Sequence, residues 1–167
     1  FIVENFFDQI FLIKKFYSNK DIINILNEVN NIDLKNIENS KSYKMINKDS
    51  KIYDIIYSDK LKKLIKYKFN KEIIFPKHLI EYRIYENSNG MDWHRDKSLF
   101  KENYLECILL LNNDSNSYFK FKKYNKKYKY YQKKGDLIMV YPLDIEHKID
   151  PIIKGSKKIL KFIINFK

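Results

Sequence analysis

The chain has 167 residues and a mass of 20.5 kDa, with 33 basic against 21 acidic side chains and a formal charge of +12. At 44% hydrophobic and 16% aromatic it carries enough apolar material for a packed core, which excludes a disordered basic tail, and Lys or Asn interrupts every apolar run before the roughly 18 to 20 residues that a membrane helix requires. A single cysteine, Cys107, excludes an internal disulfide framework and a multi-cysteine zinc site, and its place in the run Leu105 to Leu111 reads as core.

In chain order, the opening residues lack the basic n-region and small-residue cleavage site of a secretory signal, and the missing initiator Met gives the expectation that the natural chain starts earlier. Ile2 to Phe7 reads as a strand leading in. Ser18 is placed to cap a helix running through Val29, with Ile22, Ile23, Leu26 and Val29 on one stripe. The Asn-rich stretch Asn30 to Asn39 reads as a loop, and Ser50 to Tyr57 as a short helix. Ser58 caps another helix, with Leu61, Leu64, Ile65 and Phe69 inward.

From Pro76 the pattern changes to short extended pieces: Leu79–Tyr85, Met91–His94, Asn103–Asn112, Ser117–Tyr124, Lys127–Gln132, Asp136–Pro142, Glu146–Asp150 and Lys157–Phe166. Turn residues separate them, among them Asn87-Ser88-Asn89-Gly90, Lys134-Gly135-Asp136 and Lys154-Gly155-Ser156. The expected fold class is mainly β with a helical N-terminal part (α+β), a jelly roll backed by helices. One domain is expected over residues 1–167, with a helical lead-in and support over 1–75 and the barrel core over 76–167.

The composition changes what counts as a signal. Lys, Ile, Asn, Tyr and Phe make up 101 of 167 residues, Ala and Thr are absent, and Arg occurs only as Arg83 and Arg95. This follows A/T-rich codons and points to an A/T-rich genome, viral or protist; an intracellular, cytoplasmic protein is expected. It also means that the lysines by themselves describe a solvated coat. Rare residues carry more information: two of the three His, His94 and His147, and the one Trp, Trp93, lie in the β half.

His94-Arg95-Asp96 puts an imidazole and a carboxylate on one side of an extended segment, because side chains two apart point the same way. His147, 53 residues on, would complete two His and one carboxylate. Such a set occupies one face of an octahedral metal and leaves the other open, which suits Fe(II). Ten residues past His147 stands Lys157, within His-x-Ile-x-Pro-x-x-x-Gly-x-Lys. A cation there returns by one turn and one strand to the metal and can meet an anionic ligand. Lys158 and Lys161 are alternatives for that role. Along the last strand Lys157, Ile159, Lys161 and Ile163 share one face, expected to look into the barrel. Leu160, Phe162, Ile164 and Phe166 share the other, expected to pack on the helices.

Tyr85, Gly90-Met91-Asp92-Trp93-His94-Arg95-Asp96, Gly135-Asp136-Leu137-Ile138 and His147 to Gly155-Ser156-Lys157 together resemble the Fe(II)/2-oxoglutarate-dependent dioxygenases over roughly residues 79–166, and the helical lead-in is similar to their prolyl-hydroxylase-like branch. The resemblance implies a double-stranded β-helix and iron held by His94, Asp96 and His147. It further implies 2-oxoglutarate paired through its far carboxylate with Lys157 and hydrogen-bonded by Tyr85, O2 as co-substrate, and room for ascorbate. Hydroxylation of a protein side chain, a peptide or another C–H substrate, with release of succinate and CO2, is the activity it implies.

Two departures narrow the substrate. Leu111-Asn112-Asn113-Asp114-Ser115-Asn116-Ser117 lacks the Gly-Gly-Glu turn that many prolyl hydroxylases carry, and no arginine follows Arg95, unlike the C-terminal arginine cluster of alkylated-base demethylases. The alternatives are a nucleic-acid-directed oxygenase and an inactive basic barrel that binds nucleic acid, with Tyr118, Tyr124, Tyr128, Tyr130 and Tyr131 of a Lys/Tyr hairpin as the stacking platform. A zinc hydrolase on the same ligands lacks an obvious general base.

Overall fold

The computed structural model describes residues 2–6, 9–32, 42–74, 76–88, 90–95, 104–141 and 145–167. Among them the elements run β1 (Glu4–Phe6), β2 (Ile10–Ile13), α1 (Asn19–Asn30), β3 (Ser42–Ile46), α2 (Lys51–Ile56), α3 (Asp59–Phe69), β4 (Ile73–Ile74), β5 (Ile80–Tyr85), β6 (Met91–His94), β7 (Tyr104–Asn113), β8 (Phe119–Lys123), β9 (Lys126–Tyr130), β10 (Leu137–Val140), β11 (Glu146–Ile149) and β12 (Lys157–Phe166). All eight expected strands of the second half and all three helices of the first are present. The first half is more than helical, however: β2 and β3 extend the larger sheet, and most of the expected Asn30 to Asn39 loop lies outside the described residues.

The helices start where the sequence caps them. Ser18 Oγ accepts the Asp21 N–H at 3.1 Å while the Asp21 carboxylate accepts the Ser18 N–H at 3.2 Å, so two of the end donors are satisfied reciprocally. The last turn of α1 has no basic residue of its own. Lys44 of β3 supplies one instead, donating from its buried Nζ to the Val29 carbonyl at 3.0 Å. Ser58 Oγ caps α3 through the Leu61 N–H.

The strands form two antiparallel sheets. The larger runs β1-β2-β10-β7-β12-β5-β3, with β4 paired to the end of β12, and the smaller runs β6-β11-β8-β9. The faces of β12 divide as their alternation dictates. Leu160, Phe162 and Ile164 pack with Ile22, Leu61, Leu64 and Ile65 of the helices, and Leu26 lies against the same cluster, whereas Ile159 joins Tyr85, Leu110, Ile149 and Ile152 between the sheets. One expected stripe residue is displaced. Ile23 is 56% exposed, and Ile25 takes its place beside Ile22 and Val29. Positions 22, 25 and 29 follow the helical period, while 23 stands a quarter-turn away.

A buried carboxylate ties the sheet to the turn before α1. Asp136, 1% exposed, accepts the N–H of Lys15 at 3.0 Å, the N–H of Lys133 at 2.9 Å and the Tyr130 hydroxyl at 2.8 Å. Gly135 beside it has φ of +85°, and a Cβ there would meet the Tyr17 carbonyl oxygen at 2.5 Å. No helix among the described residues is long and apolar enough to cross a membrane.

Candidate metal and co-substrate site

In the smaller sheet β6 and β11 pair with His94 directly opposite His147, and Ile149 opposite Met91. Two residues of β6, Asp92 and Trp93, therefore stand against the single Lys148. This bulge lets Met91 and His94, three apart in sequence, both face the space between the sheets. The imidazole centroids lie 4.2 Å apart with an interplanar angle of 61°, and the Phe119 ring stacks on His147 at 6.0 Å. His94 Nδ1 lies 2.6 Å from the Asp92 carbonyl oxygen. A carbonyl only accepts, so Nδ1 carries the proton and the lone pair is on the buried Nε2. Two imidazoles so placed fit a metal. Asp96, the expected carboxylate, lies outside the described residues, and among those described no three His, Cys, Asp or Glu side chains form a metal-holding group.

The larger sheet supplies the opposite wall of the cleft through Arg83, Tyr85, Glu106, Ile108, Ile159 and Lys161, and Lys157 stands two residues before Ile159 on the same face of β12, outside that lining. Lys157 of β12 pairs with Tyr85 of β5 on one side and Asn113 of β7 on the other. It is 1% exposed, and its Nζ has no hydrogen-bond partner among the described residues. Burial draws its pKa down to about 8, opposed in part by the Asp150 carboxylate. An ammonium held in this way fits an anion that the chain itself does not provide. The two alternative lysines are placed differently. Lys161 lies 3.8 Å from the Glu106 carboxylate, and Lys158 has the strand parity of Leu160 on the helix side. Tyr85 is fully buried with its hydroxyl 3.6 Å from Met91 Sδ.

The cleft also holds residues to which the sequence reading gave no role. Arg83 lines it and donates from Nε to Glu81 at 2.7 Å, and Glu106, 7% exposed, lines it beside Lys161. A signal for Arg83 was available. In a chain that avoids arginine, Arg83 and Arg95 are the only two, and Arg83 lines the cleft while Arg95 directly follows His94.

No protein-family model matches the chain, and no curated protein matches its sequence. Solved structures do match. A 2OG-Fe(II) oxygenase family oxidoreductase from Burkholderia pseudomallei superposes with a TM-score of 0.78 at 7% identity, over 93% of this chain and 84% of that one. The viral collagen prolyl hydroxylase of Paramecium Bursaria Chlorella virus-1, solved as its 2OG complex, gives 0.69 at 15% identity over 96% and 98%. HygX from Streptomyces hygroscopicus, solved with nickel and 2-oxoglutarate, gives 0.76 at 8% identity over 94% and 82%. The fold is that of the 2OG-Fe(II) oxygenases. The expected double-stranded β-helix of the prolyl-hydroxylase-like kind is therefore present as architecture.

Within this oxygenase fold the tyrosines of the basic hairpin are mostly spent internally. Tyr128 stacks on Phe121 at 5.5 Å and 5°, Tyr130 bonds Asp136, and Tyr131 donates to the carbonyls of Asn113 and Ser115. Tyr118 packs on Tyr131 with Lys129 Nζ over its ring, Tyr128 keeps 36% of its surface exposed, and Tyr124, 89% exposed with Lys123 Nζ 5.5 Å from its ring centre, is the most open of the five.

Proposed function

We propose that this chain is a single-domain Fe(II)- and 2-oxoglutarate-dependent oxygenase that hydroxylates a C–H bond, in the first instance on a protein side chain. The observation that carries this reading is the pair of facing imidazoles, His94 and His147, on one sheet of the barrel and the buried ammonium of Lys157 on the other. His94, Asp96 and His147 would hold the metal. Lys157 would pair with the far carboxylate of 2-oxoglutarate, and the Tyr85 hydroxyl would hydrogen-bond the same co-substrate. The nickel and 2-oxoglutarate of HygX and the 2OG of the viral hydroxylase, bound in the same fold, support the assignment.

Iron with 2-oxoglutarate and O2 supplies the oxidising power when bound, releasing succinate and CO2, with ascorbate as an accessory reductant. The chain's own residues do the rest. The Asp92 carbonyl fixes the His94 tautomer so that Nε2 faces inward as a lone-pair donor. Lys157, already stripped of water, loses nothing further on meeting a carboxylate. Ile108, Ile149 and Ile159 wall the cavity with apolar surface and keep water from the reacting centre.

Aerobic incubation with Fe(II), ascorbate and 2-oxoglutarate should release succinate slowly, and faster with an accepting peptide. Absence of metal-dependent 2-oxoglutarate binding, or succinate release that survives His147→Ala, overturns the reading.

A further inference from the structure

One residue beyond the imidazole row, a second cavity of about 310 Å3 opens, lined by Arg95, Lys122, Lys123, Tyr124 and Glu146. Its position follows from register. Arg95 follows His94, Glu146 precedes His147, and Glu146 pairs with Lys122 across the β11–β8 ladder while His147 pairs with Phe121. The cavity is therefore at the rim of the candidate site on the smaller sheet.

Its chemistry is specific. Glu146 is held from two sides, by Lys122 Nζ at 3.0 Å and by the Arg95 guanidinium at 3.4 Å. Lys123 reaches the Gln9 amide oxygen at 2.5 Å, and Lys122 also lies 4.5 Å from the centre of the Trp93 ring. Among the described residues lining the cavity, three cations stand against one carboxylate. The next pairs along the hairpin are lysine on lysine, Lys122 with Lys127 and Lys123 with Lys126, so that Glu146 on Lys122 offsets only part of the local positive charge. The one anion already seated is a carboxylate, so the cleft shows in its own structure the group it grips.

We infer that this rim binds an acidic stretch of the polypeptide substrate, whose Asp or Glu carboxylates are taken by Arg95, Lys122 and Lys123 next to the residue presented to the imidazole pair. The inference rests on the oxygenase reading for what the neighbouring site does, but its binding chemistry stands on the rim alone. A nucleic acid fits less well. Single strands are held by successive aromatic platforms, and of the five hairpin tyrosines Tyr118, Tyr128, Tyr130 and Tyr131 are committed to internal contacts. Glu146 acts as a built-in competitor: a substrate carboxylate must share or displace it, which tunes affinity through a group that never leaves the chain.

The test uses the full chain and a short fluorescein-labelled peptide with alternating Glu, its Gln counterpart and an oligothymidylate, read by fluorescence anisotropy at low and high salt. The Glu peptide should bind more tightly than the Gln peptide and weaken as salt rises. Arg95→Ala and Lys122→Ala should each weaken it by about tenfold. Lys122→Arg, which keeps the charge over Trp93, should retain it, and Glu146→Gln should tighten it several-fold. Lys62→Ala and Lys66→Ala, on the helical layer, should change nothing. Equal binding of the Glu and Gln peptides, or indifference to Arg95 and Lys122, overturns the inference. So does an oligothymidylate that outcompetes the peptide and is lost with Tyr124→Ala. Metal-dependent 2-oxoglutarate binding is measured in parallel. The charge pattern without it retains the rim and removes the oxygenase reading, and the converse result removes the rim alone.

Discussion

His147 stands directly across the β6–β11 ladder from His94, with ring centroids 4.2 Å apart. The juxtaposition depends on the extra residue in β6: without the bulge between Met91 and His94, the two-residue strand period would turn one of these side chains away from the barrel. Because the two rings would serve one ion, their removal should not be additive. His94→Ala or His147→Ala should each lower Mn(II) or Fe(II) affinity by at least roughly 100-fold, the upper end of what is lost with a mere outer-shell partner, and the double variant should lose little more. Calorimetric titration with Mn(II) measures this. Two independent, additive losses would mean that the rings do not share a metal.

The helix layer offers a test that ignores the metal. Ile25 is fully buried against the face of β12 that carries Leu160 and Phe162, whereas Ile23 is 56% exposed. Ile25→Ala should cost about 2 to 5 kcal/mol in urea unfolding, and Ile23→Ala less than about 0.5 kcal/mol. Equal costs would place α1 in a different rotation.

These two isoleucines also mark where the sequence stopped being legible. In a chain this rich in isoleucine, an apolar side chain at a helical position carries little discrimination, and Ile23 satisfied the stripe as well as Ile25 did. The strand β2, Ile10-Phe11-Leu12-Ile13, went unread for a related reason. It is buried on both faces, Phe11 and Ile13 toward the helices and Ile10 and Leu12 toward the smaller sheet, so it shows no alternation. In β3 the inward Lys44 serves the end of α1, a tertiary role that no local pattern announces. The juxtaposition of His94 and His147 was legible because histidine is rare in this chain, whereas Lys157, one of 31 lysines, could be singled out only by its offset from His147. The pairs Lys161–Glu106 and Lys122–Glu146 were not legible, because they exist only once the register is known. That register is shifted by the bulge in β6 and by a second irregularity where Leu111 of β7 is passed over between Lys158 and Ile159.

The choice among the three lysines of β12 can be decided by titration with 2-oxoglutarate. Lys157 is buried with no hydrogen-bond partner for its Nζ among the described residues, Lys161 already faces the Glu106 carboxylate, and Lys158 is on the helix side. Lys157→Ala should raise the apparent 2-oxoglutarate requirement roughly 30- to 1,000-fold while leaving metal affinity nearly unchanged, as expected for a lost charge-assisted contact of about 2 to 4 kcal/mol. Lys158→Ala should behave like the parent. If Lys161→Ala loses the co-substrate and Lys157→Ala does not, the anchor lies four residues further along the same face of the strand, at Lys161. If none of the three matters, the co-substrate is not 2-oxoglutarate.

The same residue should leave a signature in the stability of the ligand-free protein. Burial lowers the Lys157 pKa from 10.5 to about 8, so the folded state gives up its proton before the unfolded state does. Between those two values the unfolded chain binds more protons, and stability from this group rises with pH. Below about pH 8 both states are charged and the folded state carries the full desolvation penalty, on the order of 3 kcal/mol at about 1.4 kcal/mol per unit. Lys157→Met, which keeps the length and removes the charge, should therefore stabilise the ligand-free protein at pH 7 by about 2 to 3 kcal/mol, with the advantage fading as pH climbs toward 10.5. Urea unfolding of the two proteins in parallel at a series of pH values isolates the effect, since every other titrating group is common to both. In the parent, saturating 2-oxoglutarate with metal should recover the lost stability near neutral pH, and in Lys157→Met it should not. A variant that is no more stable than the parent at pH 7, with a pH dependence parallel to it, would mean that Lys157 already has its counter-charge inside the chain and is not waiting for one from a ligand.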